Sequence, residues 1–512
     1  VSILEPERLA ATPEGLQALR GLADQALVAA QAGARHKAGP LPAGGPAALA
    51  RRTRHLLPEV LPEHGTGDAE ALVPLARLFS WGSVSLGHPA TAAFLQCPAL
   101  TVAAAADLVA SAMNQSVDVW DSGPFAIELE KAVLEELRRL AGLPEGASGV
   151  TTPGGSLSNL LAVIVARDTT GSAMTGADVT RLGLQSGTRR LRVVCSSEAH
   201  ISVTRALAAA GLGDAAAVVV PACADGRMTA SAVSDALADL PPGDAPFLLM
   251  ATAGTTDLGA IDPLPELADL AQERGMWFHV DAAYGAGMLF SPTLRPLFAG
   301  IDRADSVTMD LHKMAWQPAS SSVLLLRNPD HFAPLQREVA YLNPGDDEEA
   351  GFPNRLGRTL ETTRRADALK AAAAFRALGK DGMAALVDHC HALAVQAQQV
   401  VEAHPKLETH YPAVLTRVVF RYRPHRPELA DQVNAALRRR LLTEGSVVIG
   451  RTERAVGGAK RIHLKLTLIN PSATRQDVED LLAKVVSAGE AEEELAEGAQ
   501  RAPRAAEPGA PR

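Results

Sequence analysis

The chain has 512 residues, 47% hydrophobic and 21% charged, with a formal net charge of -9 and a sequence pI near 5.9. That length exceeds one small core and suggests two or three domains, while the acidic balance removes the electrostatic case for a nucleic-acid partner. Four cysteines, Cys97, Cys195, Cys223 and Cys390, show no CxxC spacing, so neither a disulfide framework nor a zinc knuckle is expected.

Residues 1–110 are Ala- and Leu-rich and helical in pattern, interrupted by the Pro/Gly stretch from Gly39-Pro40 to Pro46. Arg51, Arg52 and Arg54 read as a solvated helix face. A helical segment of this kind cannot bury its apolar face alone and should pack on a larger body or a second subunit. No uninterrupted apolar run reaches membrane-spanning length, and the N-terminus lacks the charged-then-apolar order of a signal peptide, so a cytoplasmic protein without a membrane partner is expected. The first residue is Val1, which leaves a processed end or an alternative start open.

Residues 111–370 are expected to form a large α/β domain. Short β-rich runs at Arg192–Cys195, Ala217–Val220, Phe247–Ala251, Met276–Val280, Ser306–Met309 and Val323–Leu326 alternate with helical or turn segments. That alternation predicts a largely parallel sheet with helices on its faces. Ligands in such sheets gather at the carboxyl ends of strands.

Chemistry-bearing residues fall at those ends. In TPGGSLSN (Thr152–Asn159) the glycines let the backbone turn sharply, Ser156 offers a hydroxyl, and the following helix presents free amides to a phosphate. A plain turn with Ser156 or Ser158 as N-cap explains the same residues. His200, closing SSEAH, could stack on a flat cofactor and move a proton, or be an ordinary hydrogen-bonded histidine. Thr252, in ATAGTTD, could bond a ligand or simply sit in a turn. Asp281 follows Trp277, Phe278 and Val280, where an unpaired carboxylate is expensive; a pyridinium N–H would suit it, with Ala283 leaving room for a ring. Capping of the next turn is the alternative. Lys313, flanked by His312, Met314 and Trp316, is held among apolar neighbours, a setting expected to lower an amine's pKa as imine chemistry requires.

Residues 371–488 are predicted to be a small α+β domain: a long helix through Val401, strands at Leu415–Tyr422, Val447–Arg451 and Arg461–Leu468, and helices at Pro427–Leu442 and Ser472–Val486. His389, Cys390 and His391 are consecutive on that long helix and cannot converge on one ion, so no metal is expected. Residues 489–512, rich in Glu, Ala, Pro and Arg without periodicity, read as a disordered tail.

The order of these signals (phosphate turn, stacking His200, Asp281, then His312-Lys313) resembles the group II pyridoxal-phosphate decarboxylases, over about Trp81 to Ile469. The resemblance implies the aspartate-aminotransferase-like fold, PLP fold type I, and pyridoxal 5'-phosphate as cofactor. It implies that Lys313 links to the cofactor aldehyde, Asp281 pairs with the ring nitrogen, His200 and Ala283 face the ring's two sides, Gly155, Ser156 and His312 hold the phosphate, and Thr252 lies nearby. It also implies a homodimer with active sites at the interface, the helical N-terminal segment contributing to it. The activity implied is decarboxylation of an L-amino acid.

Within that family NQSxDxWD (Asn114–Asp121), YLNPGDD (Tyr341–Asp347) and TTRRADALK (Thr362–Lys370) look like the branch acting on 2,4-diaminobutyrate or, in siderophore pathways, lysine. By that resemblance Ser116 and Asp118 reach the neighbouring subunit's pocket, where a carboxylate favours a distal ammonium; capping is the alternative for Asp118. The chain departs from the family in three places. The loop Leu342–Gly357 lacks the tyrosine that protonates Cα in the aromatic branch, leaving His200 as the expected donor; Ala366 stands where the diamino branch has Phe; Phe94 stands where a His follows His88-Pro89. An aromatic-acid decarboxylase, an oxidative aldehyde synthase and a catalytically silent cofactor-binding dimer remain as other readings.

Overall fold

The structure is a computed structural model that describes residues 6–184, 189–337, 339–456 and 458–501. The chain divides into two compact units. The larger comprises Leu95–His391 with a short N-terminal piece ending at Gln17; the smaller comprises Ala18–Phe94 and the chain from Ala392 onward.

A seven-stranded sheet organises the larger unit: β1 Ser148–Thr152, β2 Arg190–Ser196, β3 Ala217–Val220, β4 Asp244–Thr252, β5 Trp277–Asp281, β6 Ser306–Asp310 and β7 Ser322–Leu326. Their spatial order is β1-β7-β6-β5-β4-β2-β3. Pairing is parallel from β6 through β3, and β7 lies antiparallel to both β1 and β6, so β7 alone runs against the rest. The central strands are buried on both faces and are rich in Val, Leu and Met, as a helix-covered parallel sheet requires, while the edge strand β3 leaves Val219 exposed. The six expected strands are present within a few residues. β1 was not expected, because Gly149 interrupts its β pattern; a Cβ there would lie 2.7 Å from the Leu324 carbonyl oxygen, so close packing against β7 requires glycine.

The smaller unit holds a five-stranded sheet in which Thr91–Ala92, Val448–Val456, Ala459–Thr467, Arg417–Tyr422 and Leu407–Glu408 are neighbours in that order. Helices Gly45–Leu56 and Asp68–Gly82 bury no residue fully, and Phe79 stands exposed. Arg52 lies over the Trp81 ring at 4.0 Å, so this arginine is stacked rather than simply solvated.

Two expectations about the outer segments need correction. The division falls at Phe94/Leu95 and His391/Ala392, not after residues 110 and 370. Leu100 N–H donates to the Trp316 carbonyl at 2.9 Å and Ser291 Oγ to Asp388 at 2.5 Å, which tie those flanking stretches to the larger unit. The helical stretch Ala368–Ala403, broken at Gly379 where φ is 64°, therefore contributes to both units. The second correction concerns the expected disordered tail, whose residues 489–501 continue the helix Arg475–Arg501; residues 502–512 lie outside the described part. Gly489 packs on the Tyr422 ring, where a Cβ would lie 2.5 Å from Cδ2. Tyr422 Oη donates to Glu493 at 2.7 Å, and Arg440 pairs with Glu492 at 2.7 Å. These contacts order a segment whose own composition carries no apolar stripe.

Among the described residues no helix is long and apolar enough to cross a membrane, and no cluster of three or more His, Cys, Asp or Glu could hold a metal.

Candidate active site

The functional groups come from connections on one edge of the sheet, because the parallel strands end there. β1 leads through Pro153-Gly154 into the helix Gly155–Ala166; β2 leads to His200; β4 ends at Thr252, β5 at Asp281 and β6 at Asp310, three residues before Lys313. The register sets Thr252 beside Asp281 and Asp281 beside Thr308. Gly155, Ser156, His200, Thr252, Asp281, Ala283, His312 and Lys313, separated by up to 158 residues, all line one cavity of about 430 Å³.

The helix Gly155–Ala166 has no side-chain cap. Ser158 is buried and bonds Thr152 Oγ1 at 2.7 Å, leaving Ser156 at the cavity wall with the first-turn amides that a helix leaves unpaired. The N-cap alternative for these serines does not hold. Gly155 packs tightly: a Cβ would sit 2.8 Å from Asp310 Oδ1 and 3.2 Å from Ala283 Cβ.

Asp281 is buried at 7% exposure. Its Oδ1 accepts from Ala283 N at 3.0 Å, which is the expected turn cap, and its Oδ2 accepts from Asn159 Nδ2 at 2.8 Å. Both donors are neutral, and among the described residues no cation pairs with it. The cavity thus presents a carboxyl group held by two neutral donors. Thr252 is held by Asp262, which accepts from Thr252 N at 2.8 Å and Met228 N at 2.7 Å. Burial pushes the Asp262 carboxyl up to about 6 against the pull of those two amides.

The surroundings of Lys313 differ from the apolar pocket expected. Its Nζ lies 2.7 Å from Asp310 Oδ2, and its side chain is 20% exposed. Asp310 Oδ1 is buried without a hydrogen-bond partner. His312 Nε2 is 3.7 Å from Asp310 Oδ2, and its Nδ1 is 2.7 Å from the Ser321 carbonyl oxygen. His200 has its pKa lowered, chiefly by desolvation and then by Lys313, with Asp281 and Asp310 opposing.

Ser116 and Asp118 do not line this cavity. Ser116 Oγ accepts from Arg364 N at 3.2 Å; Asp118 Oδ1 accepts from Val119 N at 2.8 Å and from Ser122 Oγ, so it caps its own turn. The loop Leu342–Gly357 bridges that segment: Asn354 pairs with Val119, and Phe352 meets Trp120 edge-on at 5.3 Å. Ala366 packs against Val117, Ala126 and Ile127, and Phe94 is exposed. Sequence reasoning missed Asn159 and Asp310. Asn159 lies four residues after Gly155 on the same helix face, and Asp310 ends its strand as Asp281 does.

A mostly parallel sheet whose carboxyl edge brings a lysine amine, a buried carboxylate, imidazoles and a glycine-serine helix start to one cavity defines a pyridoxal-phosphate enzyme of fold type I. Comparison with known proteins agrees. The chain belongs to the pyridoxal-dependent decarboxylase family, whose conserved domain matches residues 51–423. It is similar to the L-2,4-diaminobutyrate decarboxylase of Rhizobium meliloti (strain 1021), 41% identical over 437 residues, 85% of this chain and 84% of that protein. The L-2,4-diaminobutyrate decarboxylase of Acinetobacter baumannii is 34% identical over 439 residues, 84% of this chain and 85% of that one. Among solved structures, the glutamate decarboxylase domain of diaminobutyrate-pyruvate transaminase and L-2,4-diaminobutyrate decarboxylase from Vibrio parahaemolyticus superposes with a TM-score of 0.83 at 30% identity, over 94% of this chain and 97% of that chain. This protein is a pyridoxal-phosphate-dependent amino-acid decarboxylase.

The residues present fit that cofactor. The cavity has an amine for its aldehyde, helix-start amides for its phosphate and an uncompensated buried carboxylate for its ring nitrogen. Gly155 keeps clear a space that a side chain would enter.

Proposed function

We propose that the enzyme decarboxylates a basic L-diamino acid, 2,4-diaminobutyrate first and lysine second, to the corresponding diamine and carbon dioxide. Two relatives named for diaminobutyrate, each aligned over most of the chain, carry the substrate reading. The convergence of Lys313, Asp281, His200 and the Gly155-Ser156 helix start on one cavity supports the residue roles. Lys313 would hold the cofactor aldehyde and give it up to the substrate amine. Asp281 would keep the ring nitrogen protonated, Ala283 and His200 would face the two sides of the ring, Gly155, Ser156 and His312 would bind the phosphate, and Thr252 would lie near the ring. Bound pyridoxal phosphate supplies the electron sink for the pair released when the Cα–carboxylate bond breaks.

The chain's own residues then act by placement. Asp281 offers a carboxyl oxygen fixed by Asn159 and Ala283. Asp310 positions the Lys313 amine, and His200 would carry a proton toward Cα. Ser116 and Asp118 would bind the distal ammonium in the site of a second copy. Val102, Leu108, Val109 and Phe125 stand exposed around that segment, which supports a homodimer.

A panel of amino acids supplied with cofactor, read as carbon dioxide release, tests the assignment. Diaminobutyrate or lysine should turn over, and Asp118→Ala should lose that activity by about tenfold or more while keeping cofactor. Turnover confined to aromatic substrates refutes the diamino assignment. Oxygen uptake with ammonia release would mark an aldehyde synthase instead.

A further inference from the structure

We propose that Asn159 and His279 are positioning residues that set the orientation of Asp281 and the tautomer of His200 through one directed, buried hydrogen-bond chain. This rests on the reading that Asp281 and His200 face the cofactor. The direction follows from the acceptor at its end: an Asp281 oxygen takes a hydrogen from Asn159 Nδ2, so Asn159 Oδ1 faces His279 Nε2, which must carry the ring hydrogen. An indole N–H can only donate, and Trp277 Nε1 donates to Ser306 Oγ at 2.7 Å. Ser306 then has its own hydrogen for His279 Nδ1, 2.8 Å away.

His279 is fully buried, and burial pushes its pKa down to about 4 against the opposing pull of Asp281 and the Ser306 backbone, so at neutral pH the ring is uncharged and carries one hydrogen. With Nδ1 accepting, that hydrogen sits on Nε2 and points to Asn159 Oδ1 at 3.1 Å. The orientation of the asparagine amide is then decided. Its Nδ2 serves two acceptors, Asp281 Oδ2 at 2.8 Å and Ser202 Oγ at 2.9 Å. The reverse tautomer of His279 would turn Asn159 over and set an amide oxygen against a buried carboxylate, which is costly.

The second branch reaches the other cofactor-facing group. Ser202 Oγ, having accepted from Asn159, can donate to His200 Nδ1 at 2.9 Å, and Ser202 N–H donates to the same nitrogen at 3.2 Å. The hydrogen of a neutral His200 is thereby kept on Nε2. Trp277, Ser306, His279, Asn159 and Ser202 are all at most 2% exposed, so water does not compete for these bonds. Two consequences follow for the site. Asp281 is oriented by a neutral donor with its carboxyl group turned to the cavity, and His200 has one defined proton to move. The other charges acting on His200 are Lys313, Asp310 and Arg205, none of which belongs to the chain.

The test uses the full chain loaded with pyridoxal phosphate and compares His279→Gln with His279→Leu, with Ser202→Ala as a milder cut. His279→Leu should move the pH midpoint of the cofactor's visible absorbance by about one unit or more and lower kcat about tenfold or more, with KM changed less than about threefold. His279→Gln, whose amide can still donate to Asn159, should recover most of both losses. Ser202→Ala, which removes the hydroxyl donor of the His200 branch and keeps the Ser202 N–H, should lower kcat about twofold or more with the visible spectrum of the parent. Equal behaviour of the two His279 variants, or parental kcat in Ser202→Ala, overturns the inference. If the His279 variants fail to fold, the Ser202→Ala result decides. A parental protein that stays colourless or inert after loading instead sinks the reading of the site, so the two failures are distinguishable.

Discussion

Replacing Glu130 is expected to destabilise the larger unit by about 3–5 kcal/mol, the loss that follows when one partner of a buried ion pair is removed. Glu130 is fully buried, and its carboxylate receives Arg355 Nε at 3.0 Å, Arg364 Nη1 at 2.5 Å, Thr151 N at 3.1 Å and Thr151 Oγ1 at 2.5 Å. Burial alone would raise this carboxyl; the Arg364 and Arg355 guanidiniums overcome that and hold it down at about 2. The fall from an ordinary 4.5 to about 2 corresponds to about 3 kcal/mol, in line with the ion-pair estimate. Because the folded-state value is depressed, this contribution is present above pH 4.5 and is lost as pH falls toward 2. Urea unfolding of the cofactor-free protein, followed by tryptophan fluorescence, would compare the parent with Glu130→Ala and with a triple variant carrying methionine at 130, 355 and 364. The single variant should be much weaker than the parent at pH 7 and approach it near pH 2. The triple variant should recover much of the loss, because no charge is left buried alone. A single-variant loss below about 1 kcal/mol at neutral pH, or a triple variant no better than the single, would refute the electrostatic argument.

Gly155→Ala should weaken cofactor binding by about tenfold or more in equilibrium dialysis, since the new Cβ would crowd Asp310 and Ala283; unchanged affinity would mean the helix start does not approach the cofactor. Cys97, Cys195 and Cys390 are buried, with thiols pushed up by desolvation to about 12, 11 and 12, whereas Cys223 is exposed. Alkylation of the native protein at about pH 8 should therefore label Cys223 first, and the other three only on unfolding. Early labelling of Cys195, read by mass spectrometry of peptides, would show that its strand opens readily.

The Asn159→Ala variant separates two explanations of the carboxylate at 281. If the amide matters only for packing, the holoprotein's spectrum should stay that of the parent while its thermal midpoint falls. If it orients Asp281, the spectrum should change as well.

What the residues alone determined was local and periodic. Strand-forming runs separated by helical stretches predicted the parallel sheet, and side-chain type at strand ends singled out His200, Asp281 and Lys313, because a parallel sheet delivers those ends to one edge. Tertiary structure decided everything that depends on partners distant in sequence. Asn159 reaches Asp281 across 122 positions, Arg355 and Arg364 reach Glu130 across 225 and 234, and the helix past Gly489 is ordered by Tyr422. No periodicity encodes such pairings. A polar side chain's role is set by the group that satisfies it after burial, and that group becomes its neighbour only when the chain has folded.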